Sequence, residues 1–214
     1  MNDSKSICPL CGCPDLSQYH KDRFREYLRC GECGLIHVPE KYHVSRDKEK
    51  CRYDLHKNSG DDEGYRRFLM KLVDPLAARL DKGASGLDYG SGPTPVLVSM
   101  LEEKGFKVEK YDPFYAADVS VLGRRYDFLM CCETIEHFSN PRLEWERFIK
   151  LVRKGGWIGI MTQLTDGSKD FAHWHYINDE THIGYYSKKT FQWLDRKYGV
   201  KVFFEGMSVV LCQV

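Results

Sequence analysis

Residues 87–95 read Leu87-Asp88-Tyr89-Gly90-Ser91-Gly92-Pro93-Thr94-Pro95, a short apolar strand candidate that runs into a glycine turn and then into a helix candidate, Thr94 to Lys104, closed by Gly105. In an open α/β sheet, a glycine turn between a strand and a helix is where nucleotide cofactors bind. The next strand candidate, Phe106 to Asp112, ends on a carboxylate 22 residues after Gly90, suited to accept the hydroxyls of a ribose. A pyrophosphate fits the turn poorly. Pro93 and Pro95 remove two of the N–H donors that it would need, and the third glycine of GxGxxG is absent. The turn therefore suits a cofactor with a ribose and no phosphate.

Downstream the same rhythm continues. Tyr126 to Cys132 is a dense apolar strand, Asn140 and Pro141 start a helix that runs through Arg153 to stop at Gly155 and Gly156, and Trp157 to Gln163 is the next strand. Residues 164–186 interrupt with an insert rich in histidine and aromatics. Ser187 caps a last helix ending at Gly199, and Val200 to Phe204 with Ser208 to Gln213 read as two strands. Upstream, Phe68, Leu69, Leu72, Val73, Leu76, Ala77 and Leu80 recur at helical spacing, with Pro75 marking a kink or a restart capped by Asp74. These signals predict an α/β fold over residues 65–214: a Rossmann-like open sheet of about seven mostly parallel strands with helices on both faces.

The N-terminal forty residues follow another logic. Cys8 and Cys11 form one CxxC pair and Cys30 and Cys33 a second, with 18 residues between the pairs, the spacing of a structural zinc ribbon. Gly12 and Gly34 follow each pair and permit the left-handed turn that aims backbone N–H groups at sulfur. Cys13 and His37 are substitute ligands. A closed four-sulfur site has no open position for substrate, so its expected role is folding or docking. Residues 1–40 are thus expected to be a zinc ribbon. Residues 41–64, charged and poor in large aliphatics, are expected to be a linker.

Composition narrows the class of function. Of 214 residues 42% are hydrophobic and 29% charged, with Lys+Arg 32 against Asp+Glu 31, as in a globular protein whose core needs no disulfide staples. Nine cysteines are too few for a disulfide scaffold, and MNDSKSICPL has no apolar leader core. No apolar run approaches the ~20 residues that span a bilayer. The chain is expected in the reducing cytoplasm, with no membrane partner and no basic tail for nucleic acid.

Candidate chemistry lies after the strand that ends at Cys132. Glu133, Glu136 and His137 form an ExxEH cluster at the carboxyl edge of the sheet, and in a helical turn their spacing puts all three on one face. Two carboxylates and an imidazole suit a divalent ion such as Mg²⁺ or Mn²⁺, which lowers a hydroxyl's pKa. Alternatively the histidine packs, or acts as a base without metal. The insert adds His173, Trp174, His175, Tyr176 and His182, of which at least one histidine is expected to be functional. Cys131 and Cys132 lack the Pro-Cys context of a cytosine-methylating nucleophile and read as core.

Over roughly residues 65–214 the sequence resembles the class I S-adenosylmethionine-dependent methyltransferases. The matching stretches are LDYGSGPTP, YDPF, YDFLMCCETIEHF and LVRKGGWIGI, in order. The resemblance implies that Asp88 and the backbone from Gly90 through Ser91 to Gly92 hold the methionine end. It further implies that Asp112 holds the ribose, that Phe114 lies against adenine and that Cys132 lines the methyl end. The family's polar adenine contact after a third strand has only Asp118 as a counterpart. The ExxEH cluster resembles that of metal-dependent ubiquinone-pathway O-methyltransferases and of small-RNA terminal 2′-O-methyltransferases, and His182 in ETHIGYYSKKTF resembles the latter's downstream histidine. Glu133, Glu136, His137 and His182 are the catalytic set so implied. No DPPY-like or NPPY-like tetrapeptide follows the strand, which turns the expectation toward an oxygen acceptor on a small molecule. RNA 2′-O methylation, with the ribbon aiding docking, is the alternative. A non-catalytic zinc-ribbon adaptor is the second. The oligomeric state is left open.

Overall fold

In the computed structural model, which describes residues 6–55, 59–165 and 170–214, the N-terminal strands are too short and polar to bury a core alone. Strand β1 (Leu16–Lys21) pairs antiparallel with β2 (Glu26–Cys30) across a turn where Asp22 Oδ1 accepts the N–H groups of Phe24 and Arg25, both at 2.6 Å. The second CxxC loop leads from β2 to β3 (Ile36–His37), antiparallel again. The stretch expected as a linker holds helix α1 (Arg46–Tyr53). Its charges work as helix signals: Ser45 caps the Lys48 N–H, Asp47 and Glu49 face the positive end of the dipole, and Lys50 pairs with Asp54 one turn on.

Helix α2 (Glu63–Ala77) starts at Asp62, whose side chain accepts from the N–H groups of Gly64 and Tyr65. It continues through Pro75 without restarting at Asp74. The proline lies in the last turn, where losing one intrahelical bond costs least. Then come β4 (Ser85–Tyr89), α3 (Val96–Glu103), β5 (Lys107–Tyr111), β6 (Tyr126–Cys132), α4 (Pro141–Leu151), β7 (Val152–Met161), β8 (Gly184–Tyr185), α5 (Lys188–Tyr198), β9 (Lys201–Glu205) and β10 (Val209–Gln213). Residues 1–5, 56–58 of the expected linker and 166–169 of the insert lie outside the described residues.

The main sheet has the order β5-β4-β6-β7-β10-β9; β5, β4, β6 and β7 run parallel, and β10 is antiparallel to both neighbours. It is the expected open α/β sheet with six strands among the described residues instead of about seven. Where a further strand would enter, Asp118 accepts the Ser120 N–H and residues 119–123 close into a 3₁₀ turn. One face is covered by Trp145 and Phe148 of α4 and Phe191 and Leu194 of α5, the other by Leu69, Leu72 and Leu76 of α2 and Met100 and Leu101 of α3. Central strand β6 serves both: Leu129 and Cys131 join the first cluster, Phe128 and Met130 the second.

The ribbon is not appended to this body. Its sheet is completed by β8, from residues 184 and 185, and Cys8, Leu10, Cys30, Cys33 and Leu35 join the core under α4 and α5. A third cluster unites ribbon and insert, with Tyr27, Ile36 and Val38 packed on Phe171, Trp174, Tyr176 and Tyr185. Among the described residues no helix is long and apolar enough to cross a membrane.

Candidate active site

A cleft of about 940 Å³ opens at the carboxyl ends of β4, β5 and β6. Asp88, Gly90, Ser91, Gly92, Asp112, Phe114 and Cys132, the whole expected cofactor set, line it, as do Glu133, His137 and His182. The glycine turn has a steric cause. Gly90 has φ +84°, and a Cβ there would lie 2.3 Å from the Thr134 side chain. The Gly90 and Ser91 amides both donate to the Tyr111 carbonyl, at 2.8 and 3.2 Å, which ties the turn to the end of β5. Ser91 Oγ is buried there without a hydrogen-bond partner. Asp112 locks the same corner: Oδ2 accepts the Gly92 N–H at 2.9 Å, and Oδ1 accepts those of Phe114 and Tyr115 at 2.8 and 3.1 Å. Burial, with the Asp112 charge added, pushes the Asp88 carboxyl up to about 7. Asp118 is exposed on its 3₁₀ turn, outside the residues lining the cleft.

Beside the turn, the chain leaves β6 through Glu133, a non-glycine residue at φ +45° whose N–H donates to the Met161 carbonyl at 2.7 Å. Glu136 is fully buried. It accepts from the Tyr176 hydroxyl at Oε1 and from Thr162 Oγ1 at 3.1 Å at Oε2, and the same Tyr176 hydroxyl lies 3.4 Å from Glu133 Oε2. Burial raises both carboxyls above the ordinary range, and for Glu133 the Glu136 charge adds to it. His137 Nδ1 lies 3.0 Å from the Thr181 carbonyl and His182 Nδ1 lies 2.8 Å from the Tyr176 carbonyl. A carbonyl only accepts, so each Nδ1 carries a proton. Burial lowers the His182 pKa and favours its neutral ring, with the lone pair on Nε2. The ring centroids are 4.8 Å apart, and Glu136, His137 and His182 offer ligand atoms all within 4.8 Å of one another. Glu133 stands outside that threesome, joined to it through Tyr176. His173 pairs with Asp170 and His175 with Gln163, both exposed; of the insert's three histidines, His182 alone lines the cleft.

A family model of the methyltransferase domain matches residues 62–203. The chain belongs to that family. No curated protein matches it in sequence. Among solved structures, a chain of the complex between the Trm112 methyltransferase activator and a methyltransferase of Haloferax volcanii is similar with TM-score 0.55 and 12% identity, over 79% of this chain and 99% of that one. The 1,6-didemethyltoxoflavin-N1-methyltransferase of Burkholderia thailandensis, solved with 1,6-didemethyltoxoflavin and S-adenosylhomocysteine, gives 0.51 and 14% over 92% and 97%. An O-methyltransferase family protein from Burkholderia thailandensis gives 0.50 and 15% over 77% and 62%. At such identities the likeness is one of fold.

In this methyltransferase the four cysteines converge. Cys8 and Cys33 have sulfurs 3.5 Å apart, Cys11 and Cys30 3.4 Å, and all four lie within 4.8 Å of one another. The glycine amides close on carbonyls, Gly12 on Cys8 and Gly34 on Cys30, at 2.9 and 3.0 Å. Hydrogen bonding from Cys33 draws the Cys8 thiol down to about 5, while the same bond and burial push Cys33 up. Cys13 stands apart, accepting from the Asp15 N–H at 3.4 Å, and His37 is buried in β3. Cys131 is core, as expected, and Cys132 lines the cleft.

Sequence reasoning missed the roof of the cleft. Arg46 of α1 donates to the Pro113 carbonyl at 3.2 Å and lies over the Phe114 ring at 5.0 Å; Tyr53 meets both Phe114 and His137 edge-on. Arg52 ties α1 to Asp179 at 3.0 Å, and Tyr115 donates to Asp54 at 2.6 Å. The available signal was the Ser45 cap with its acidic first turn, masked by the lack of an apolar stripe.

Proposed function

We propose that this methyltransferase transfers the methyl group of S-adenosylmethionine to an oxygen of a small molecule, with Glu136, His137 and His182 at the reacting centre and Glu133 beside them. The observation that carries this reading is the convergence of those three ligand atoms within 4.8 Å at the edge of the glycine-turn cleft. The cofactor's fit is supported by the orphaned Ser91 hydroxyl and by Gly92, where a Cβ would meet open space. Asp112 already accepts three N–H bonds of the roughly four that a carboxylate can take, so it fixes the turn and keeps one lone pair for a ribose hydroxyl.

Methyl transfer needs alignment and removal of one proton. The carbonyls of Thr181 and Tyr176 hold the His137 and His182 rings by Nδ1, and His182 Nε2 is the atom we assign to accept that proton or to bind a divalent ion. Two imidazoles in the donor set favour Mn²⁺ over Mg²⁺. Such an ion, when bound, lowers the pKa of an acceptor hydroxyl. The four cysteines fit one structural Zn²⁺: Zn–S bonds of about 2.3 Å in a tetrahedron put sulfurs roughly 3.8 Å apart, close to the spacing here. On this reading residues 1–40 are the ribbon, 41–64 the connection and 65–214 the transferase body, at work in the reducing cytoplasm.

Calorimetry with S-adenosylmethionine, followed by Mn²⁺ titration of the zinc-loaded protein, tests the proposal. Heat in both steps is expected. No heat for cofactor favours the adaptor reading, and cofactor binding without a second metal leaves histidine base catalysis. One observation favours RNA as a second reading: a groove of about 400 Å³ lined by Arg124, Arg125, Arg147 and Lys150 shares Leu143 and Arg147 with the cleft. Salt-sensitive binding of short RNA would support it.

A further inference from the structure

The ribbon reaches the reacting centre through one side chain. Arg25, at the turn between β1 and β2, is 8% exposed; its guanidinium lies over the Tyr27 ring at 5.4 Å and donates to four backbone carbonyls. Nη1 meets Glu180 and His182, each at 3.1 Å; Nη2 meets Ile177 at 2.5 Å and Asp179 at 3.3 Å. Four carbonyls of one six-residue stretch thus converge on a planar fork that only arginine supplies.

That stretch has little regular structure of its own: its first two residues end the short 3₁₀ turn His175–Asn178, and two-residue β8 follows it. Yet it and its two flanking residues touch each member of the converging threesome. The Tyr176 carbonyl takes His182 Nδ1–H and the Thr181 carbonyl takes His137 Nδ1–H, while the Ile183 N–H donates to the Glu136 carbonyl at 2.8 Å. Buried carbonyls gathered in one place need donors, and a multi-donor guanidinium satisfies several at once. Arg52 of α1 holds the Asp179 side chain from the other side. Ribbon pairing of Ile36 with Tyr185 and of His37 with Gly184 ends the stretch.

We propose that Arg25 is a positioning residue, by which the ribbon fixes the tautomer and aim of His137 and His182. This rests on the functional reading of those two histidines given above. The ribbon then acts as part of the active-site scaffold, as well as any docking role.

The test is Arg25→Met in full-length, zinc-loaded protein with ¹⁵N-labelled histidine. Long-range ¹H–¹⁵N spectra read the two tautomers, and electron paramagnetic resonance reads Mn²⁺ affinity. Zinc content of one per chain and retained S-adenosylmethionine binding are expected, with loss of the Nδ1–H signature at His182 and at His137 and a 10- to 100-fold weaker Mn²⁺ complex. A merely structural role would lower the melting temperature and leave the tautomers alone. Unchanged tautomers in a folded variant overturn the proposal. Should Arg25→Met fail to fold, Arg25→Lys keeps the charge without the fork, and the same spectra decide by the same criterion. If wild type itself binds no Mn²⁺, the metal reading falls while the tautomer spectra still judge Arg25.

Discussion

The methyltransferase contains two clusters whose ligand atoms lie within 4.8 Å of one another, and they are assembled in opposite ways. Cys8, Cys11, Cys30 and Cys33 come from two tight turns joined by one hairpin, so local geometry makes the knuckles and a single strand pairing brings them together. Glu136, His137 and His182 come from a strand exit and a distant insert. Around them the contacts are long-range: Arg25 on the His182 and Glu180 carbonyls, the β3–β8 pairing, and the Tyr176 hydroxyl on Glu136. A cluster built from turns survives in sequence as spacing, whereas a cluster built from packing leaves only residue types.

The largest expected effect bears on the first cluster. Cys30→Ser should reduce zinc from about one per chain to none and erase hydrogen-exchange protection in β1 and β2, since structural zinc supplies the folding energy of such ribbons. Protection in β6 should persist. Because β8 closes the ribbon sheet, the tautomers of His182 and His137 should change as well. Unchanged imidazole spectra in that variant would break the dependence of the second cluster on the first.

The next effect concerns Asp88, on the locally coded turn. Its folded pKa, about 7, lies above its unfolded value, so between pH ~4 and ~7 the unfolded state loses its proton first and stability falls as pH rises, by up to about 4 kcal/mol in all. Asp88→Asn should flatten that slope in denaturant midpoints measured across the window. A parallel slope in the variant would assign the loss to other carboxyls.

Within the second cluster, His182→Ala should weaken Mn²⁺ binding by roughly 10²-fold and Glu133→Ala by much less, because Glu133 lies outside the three converging atoms. Equal losses in a metal titration would restore the four-ligand set that the sequence suggested. Asp112→Ala should cost about 1.5–3 kcal/mol of S-adenosylmethionine affinity by calorimetry, through loss of charged hydrogen bonds and release of the Gly92 turn. Full affinity would move the ribose elsewhere. At the small end, His173→Ala should shift stability by no more than about 0.5 kcal/mol and leave Mn²⁺ binding unchanged, as its partner Asp170 is itself exposed. A measurable loss of metal would draw the outer insert into the site.

What could be read from residues alone follows from short-range physics. The glycine turn, the carboxylate 22 residues on and the helix caps at Asn140 and Ser187 all depend on backbone conformation within a few positions, and the sheet with two covered faces follows from them. That the residues expected to bind the cofactor share one cleft was legible for that reason: they hang from strand ends whose order the alternation dictates. Charge concealed α1, because a polar helix held by a cap and ion pairs has no apolar period to detect. Nor does the type of a histidine tell His182, held by a buried carbonyl, from His173, held by an exposed aspartate. That difference was decided by the tertiary structure, in which β8 pairs with the ribbon and four carbonyls meet Arg25, contacts between positions more than 140 apart in the sequence. Sequence spacing carries no record of such pairings, since each end is locally compatible with many partners and only burial of the whole selects one.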